Sequence, residues 1–495
     1  MSETNLGTGT HSRREFLRRA GLLAGAGFAA PWAMDLAGLA SAAPSAATDY
    51  RAIVCLFMYG GNDHYNTFIP DDDEGYRVYA AARAGIARPR SSILPISPAR
   101  GFDGAGTFGF APELPQLRDI FDGGDAAVVA NLGTLVRPID KAGYAVASNR
   151  PPQLFSHNDQ QSYWQSSSPE GATTGWGGRI ADLILDGAST SSTFTCISVA
   201  GNAVMMTGRD AIQYQVSTNG VTRLRDNTFR HDAALAGIRD VMELQQPGLF
   251  PSSYSTVSKR ALDAADGLGD AIAAAEDRYD VDSAFDTATD NIDLNRINAQ
   301  LRMVAKLIAA GRDTLGIKRQ VFFVAMGGFD NHNGLTTRHP LLLAGLDGGV
   351  ASFYRATQLL GAADSVTTFT ASDFGRTLVS NGDGSDHGWG GHHLVVGGSV
   401  RGRRVFGSVP TIADDGPDDV GRGRLLPTTS VDQYAATLAS WMGAGTSELR
   451  AVVPNITNYA VTDLGFLGEP GARVTDGIGN GGNGGLRRAT RIAGS

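Results

Sequence analysis

Residues 321–326, VFFVAM, are apolar at every position, and so are residues 53–58, IVCLFM. A strand with one wet face alternates apolar and polar side chains. A run with no polar break instead fits a strand covered on both faces, as in the parallel sheet of an α/β sandwich. Further β-rich runs stand at 126–131, 193–199, 366–371 and 393–397. Helical patterns separate them: 175–187, where Ile180, Leu183 and Ile184 share one face, then 339–362, then 428–443, which opens on Ser and Thr caps and closes on Gly443. This alternation predicts an α/β/α sandwich with a mostly parallel central sheet. The 495 residues, 42% of them hydrophobic, suffice for one large domain or two medium ones.

The ends of the apolar runs are as informative as the runs. VFFVAM passes through Gly327 and Gly328 into Asp330, Asn331 and His332. VCLFMY (54–59) passes through Gly60 and Gly61 into Asn62, Asp63 and His64, and VTTFTAS (366–372) runs into Asp373. FSHNDQQS (155–162) supplies Ser156, His157 and Asp159, and NGDGSDHGWGGHH (381–393) supplies Asp386, His387, His392 and His393. One such turn is ordinary, because Asp, Asn and Gly suit turns by themselves. The repetition is not: most of the nine histidines of the chain sit in these short stretches. In open α/β sheets ligands bind outside the carboxyl ends of the strands. If the strands are parallel, Asp63, Asp330 and Asp373 converge at one edge, where carboxylates coexist only with a cation or a shared proton. Aspartate with histidine suits Zn²⁺ or Mn²⁺, and a carboxylate-rich site also suits Ca²⁺ or Mg²⁺.

The amino terminus reads SRREFLRRAGLLAGAGFAAPWA from Ser12. An arginine pair followed by Phe16 and Leu17, an uncharged run from Ala20 to Met34 and the small residues Ala40-Ser41-Ala42 form a cleavable signal peptide over 1–42, similar to the twin-arginine type. The run is shorter than the ~20 residues that span a bilayer, so no stable membrane span is expected. The protein is then a client of the twin-arginine export machinery, bound for the periplasm or the extracellular space. That route carries folded proteins, which permits a metal to be loaded before export. The net charge of −8 and the lack of a long basic run give nucleic-acid binding no support. Residues 222–312, rich in Ala, Asp, Arg and Leu, predict a helical insertion in a domain spanning 43–472, and the Gly- and Arg-rich stretch 473–495 predicts a flexible tail. Cys55 and Cys196 lie in apolar runs without a CxxC partner, which argues against a thiolate metal site and points to either two buried thiols or a disulfide between adjacent strands.

Together the signal peptide, GGNDHYNTFIP, SHNDQQSYW, GGFDNHN, SDFGRT with DHGWGGHH, and LPTTSVDQYAATLASW resemble the secreted bacterial family called domain of unknown function 1501 over nearly all of the mature chain. That family resembles the alkaline phosphatase and sulfatase superfamily. The resemblance implies an alkaline-phosphatase-like fold and a metal-dependent hydrolase of phosphate or sulfate esters, acting on a small-molecule or polysaccharide ester. It implies metal ligands at Asp63, Asp330, His332 and Asp373, with His387 or His392 completing the set, and a nucleophile at Ser156 beside His157. The sequence departs from the superfamily in three places. Phe374 stands where a histidine is usual, Asp330-x-His332 is tighter than usual, and no Cys-x-Pro-x-Arg stretch exists for a formylglycine.

Simpler readings stand beside these. Ser156 can cap a helix beginning at 157, since Ser is a preferred N-cap. Arg376 is either a surface arginine or a fork-shaped grip for phosphate or sulfate. His64 can bond locally, His393 can be structural, and the acidic stretches 71–75 and 414–419 can be solvated loops. A non-catalytic exported protein that keeps the fold and binds a cell-surface glycan or a partner protein is the rival to the hydrolase. The export assignment has its own test: replacing Arg13 and Arg14 by Lys should leave the precursor inside the cell, and normal export of that variant in a fractionation immunoblot would sink it.

Overall fold

The computed structural model describes residues 49–98, 106–187, 193–221, 237, 239–242, 249–285 and 289–470; the segments expected as a signal peptide, 1–42, and as a flexible tail, 473–495, lie outside them. In chain order the strands are β1 (Arg51–Met58), β2 (Phe68–Pro70), β3 (Leu94–Pro95), β4 (Phe108–Phe110), β5 (Ala126–Gly133), β6 (Cys196–Ser198), β7 (Tyr214–Gln215), β8 (Arg319–Met326), β9 (Val366–Ser372), β10 (Arg376–Ser380), β11 (Ser385–His387), β12 (Gly391–Val396), β13 (Val405–Phe406) and β14 (Thr429–Ser430). The principal helices are α1 (Asp73–Arg83), α2 (Pro115–Gly123), α3 (His157–Ser166), α4 (Trp176–Gly187), α5 (Leu249–Arg278), α6 (Ile292–Ala309), α7 (Leu335–Leu359) and α8 (Val431–Met442).

Nine strands form one sheet in the order β13-β5-β12-β9-β1-β8-β6-β7, with β14 also paired to β5. The pairs of β1 with β8 and β9, of β6 with β8 and β7, and of β5 with β13 and β14 are parallel. Only β12 runs against its neighbours β5 and β9. The unbroken apolar runs are explained by burial on both faces. Ala52, Val54, Leu56 and Met58 enter one core with Phe322 and Val324 and with helices α6 and α7. Ile53, Cys55 and Phe57 enter the other with Val321 and Phe323 and with α4 and α8. The architecture is therefore the mostly parallel α/β/α sandwich expected from the alternation.

Within 222–312 the described residues contain helices and no strand. Of these, α6 packs on β8 and α7, with Ile297, Leu301, Val304 and Ile308 in the core, so it forms part of the layer covering the sheet. Close approach of α6 to α7 relies on Gly348 and Gly349, where a Cβ would stand 2.8 Å from a Leu294 carbon and 2.7 Å from an Ile297 carbon. Cys55 and Cys196 are free and buried. Strand β8 lies between them, with Cys55 opposite Phe323 and Cys196 opposite Val321. Two strand spacings, about 10 Å, exceed the roughly 7 Å Cα reach of a disulfide.

Gly60 sets the spacing between the loops after β1 and β8. Its φ is +115°, and a Cβ there would lie 2.4 Å from the backbone nitrogen of Asp330. Gly60→Ala combines a disfavoured conformation with a backbone clash. It should lower stability by about 2–4 kcal/mol in urea titrations, the range of strain plus overpacking; a loss under 0.5 kcal/mol would show the loops are not locked there.

Candidate functional site

The strands deliver their ends to one edge. Met58 of β1 lies opposite both Met326 of β8 and Ser372 of β9, so the segments that follow leave the sheet at one level. Because β12 is antiparallel, it begins at that same edge, which brings in the preceding hairpin of β10 and β11, where Arg376 pairs with His387. Helix α3 begins beside it, with Ser156 at its N-cap and His157 as its first residue.

At the centre is Asp330, whose side chain is 44% exposed. Its Oδ1 lies 3.1 Å from His332 Nε2 and 3.2 Å from His387 Nε2, and these two nitrogens are 2.9 Å apart. Its Oδ2 lies 3.5 Å from His157 Nε2. Each imidazole is anchored through its other nitrogen. His157 Nδ1 is 2.5 Å from Asp373 Oδ2, His332 Nδ1 is 3.2 Å from Asp386 Oδ1, and His387 Nδ1 is 2.8 Å from the carbonyl of Phe155. All three anchors are acceptors, so each Nδ1 carries a proton, and a ring in its neutral form offers the lone pair of Nε2. Four lone-pair-bearing groups therefore face one another, an arrangement that repels itself unless a cation or proton is shared. One donor atom from each of His157, Asp330 and His387 lies within 4.8 Å of the others. The donor set and its outer anchors fit a divalent cation.

Arg376 is fully buried and spends its guanidinium on the protein. It donates to Asp330 Oδ1 at 2.8 Å, to the Gly60 carbonyl at 3.2 Å and to the Ser385 carbonyl. It holds Asp330 in place and does not reach outward to grip an anion. Asp373 stands behind His157: its Oδ2 also accepts from Gln161 Nε2 at 2.9 Å, and its buried Oδ1 has no hydrogen-bond partner among the described residues. Ser156 makes no capping bond, so the simple N-cap explanation of this residue does not hold. The residues on either side of it, Phe155 and His157, both touch the cluster.

Asp373, expected as a ligand, thus backs His157 instead of facing the donors, and two further expected ligands are elsewhere. Asp63 is 1% exposed and its Oδ2 is bound by Arg83, itself 0% exposed. A buried carboxylate needs a counter-ion, and Arg83 supplies it within the fold. His392 lies under the edge, accepts from the Asn131 amide at 3.0 Å through Nδ1, and stands edge-on to His64 and Phe68. Of the pair His387 and His392, only His387 meets Asp330. His393 is also buried, against Trp164. In the acidic stretch 414–419, Asp419 is buried and accepts the amides of Asp415, Gly421 and Gly423, a loop-bracing role.

The electrostatics follow these contacts. The hydrogen bond to Asp373 raises the His157 pKa above the ordinary imidazole value, against burial. Burial lowers that of His387, and burial alone pushes His392 down to about 3. Burial works to raise the Asp330 pKa, but the bond and charge of Arg376 and the charges of His332 and His157 bring it below the usual carboxylate range. The bond from Asn381 does the same for Asp386, with His332 adding to it.

The site uses residues that sequence reading did not assign. Gln161 has a signal, since it lies one helical turn after His157 on the same face. Asp386 precedes His387 in the quoted cluster. Phe155 acts through its carbonyl, and Arg83 lies on α1 with no motif around it; neither carries a signal. Arg83→Met should strand Asp63 as a buried unpaired charge and cost about 3–5 kcal/mol in chemical denaturation. Adding Asp63→Asn to that variant should recover part of the loss; no recovery would mean the pair is not the source.

No curated protein matches the chain. Among solved structures, Ps i-CgsB in complex with k-i-k-neocarrahexaose is 11% identical, covering 82% of this chain and 77% of its own, with a TM-score of 0.33. The PsFucS1 sulfatase from Pseudoalteromonas sp. is 9% identical, covering 90% of this chain and 77% of its own, with a TM-score of 0.34. These likenesses are too remote to carry an argument about this chain. The family model described as protein of unknown function (DUF1501) matches residues 50–449, and the chain belongs to that family.

Proposed function

We propose that the protein is a metal-dependent hydrolase of phosphate or sulfate esters, with Asp330, His332, His387 and His157 holding one divalent cation and Ser156 as the nucleophile. The observation that carries this reading is the set of three imidazoles, each tied through Nδ1 so that Nε2 faces Asp330. Three nitrogens and a carboxylate favour Zn²⁺ or Mn²⁺ over the oxygen-seeking Ca²⁺ and Mg²⁺. A bound cation of this kind polarises an ester oxygen and lowers the pKa of a nearby hydroxyl.

The chain's own groups do the rest. Arg376 keeps Asp330 ionised and oriented. Asp373, Asp386 and the Phe155 carbonyl fix the ring orientations, and Gln161 gives Asp373 a second hold. Ser156, not engaged as a cap, gives up its hydroxyl proton as its oxygen attacks the phosphorus or sulfur; the bond from that atom to the alcohol oxygen breaks, and the departing oxygen takes up a proton. Water then cleaves the seryl ester.

Asp330→Ala should lower metal content, measured by mass spectrometry on purified protein, to a small fraction and abolish turnover of aryl phosphates and sulfates. Ser156→Ala should keep the metal and lower turnover by about three orders of magnitude or more, as removal of a nucleophilic serine does. Metal should be lost as pH falls, because protonated imidazoles cannot ligate; His157, with the raised pKa, protonates first and His387 later. Full metal retention by the Asp330 variant would overturn the reading.

A further inference from the structure

We propose that Arg424 is a positioning residue of this site, locking Phe155 and His387 together; the inference rests on the metal reading above. The Arg424 guanidinium lies over the Phe155 ring, 4.6 Å from its centroid, and its Nε donates to the backbone carbonyl of His387 at 3.0 Å. The imidazole of His387 in turn donates from Nδ1 to the Phe155 carbonyl at 2.8 Å. Three residues from three distant parts of the chain thus form a closed ring of contacts.

The ring has a conformational reason to exist. Phe155 has φ +72°, in the left-handed region that a bulky side chain disfavours. Such a conformation persists only where its surroundings over-determine it. The stack fixes the Phe155 ring from outside and the imidazole fixes its carbonyl from inside. Two consequences reach the cluster: His387 Nε2 is aimed at Asp330, and the backbone carrying Ser156 is held between Phe155 and His157.

Arg424 is itself held firmly. Its loop is braced by buried Asp419, which accepts the Gly421 amide at 2.7 Å and the Gly423 amide at 3.2 Å, and the Gly423 carbonyl accepts from Leu378 of β10 at 2.7 Å. Through Asp419 the acidic stretch 414–419 therefore supports the arginine that orients His387.

The test is calorimetric titration of Zn²⁺ into purified metal-free protein, with the visible spectrum of the Co²⁺-loaded form as a second readout. Arg424→Ala should weaken Zn²⁺ binding by about 10–100-fold, the usual effect of losing an outer anchor, and change the Co²⁺ bands. Arg424→Lys keeps the charge but lacks the planar face and should fall between the two; it is the variant to read if Arg424→Ala does not fold. Arg77→Ala, an exposed arginine on α1, should bind like the parent. Parent-like affinity and spectrum in both Arg424 variants would overturn the positioning role while leaving the metal reading intact. No Zn²⁺ binding by the parent would overturn the metal reading itself, and this inference with it.

Discussion

Everything at the site depends on the parallel, in-register pairing of β1 with β8 and β9. Met58, Met326 and Ser372 stand side by side, so three segments leave the sheet together. The Ser372 hydroxyl ties two of them, donating to the Met58 carbonyl and accepting from the Asn62 amide. Gly60 lets the β1 loop touch the Asp330 backbone, and its carbonyl receives Arg376. A one-residue slip would send alternate side chains to the opposite core and displace Asp330 from the imidazoles.

The same edge holds carboxylates of two kinds, and burial separates them. Asp63 is sealed in the fold and neutralised by Arg83, an arrangement that leaves nothing to offer a ligand. Asp330 is half exposed and receives only part of its compensation from Arg376, while three acceptor nitrogens face it. Asp373 belongs between them: buried, yet one imidazole ring away from the cluster through His157. Chemistry at a sheet edge thus follows from which carboxylates the fold has already satisfied. Arg376 and Arg424 work at the same task from opposite sides, the first through Asp330 and the second through His387 and Phe155.

Much of this architecture is legible before any coordinates. A run such as IVCLFM, if a strand, must be covered twice, because every second residue would otherwise face water, and the two cores of β1 are the outcome. Parallel strands share an edge, so Asp330, His332 and Asp373 could be expected near one another from their places after apolar runs. His387 was legible only as one of two candidates, since the hairpin and the reversal of β12 decide which histidine arrives at the edge and which is buried beneath it.

What the sequence alone determined is the periodicity and its consequence: the sandwich, the common edge and the kind of side chain gathered there, because these follow from local patterns of burial. What only the tertiary structure decided is the partnership of each polar atom. Arg83 lies 20 positions from Asp63, Asp386 lies 54 from His332, and the Phe155 carbonyl lies 232 from His387. Hydrogen bonds form between groups that packing brings within about 3 Å, whatever their distance along the chain. No spacing rule encodes such pairs, and they are what separate a neutralised carboxylate from one that still faces open donors.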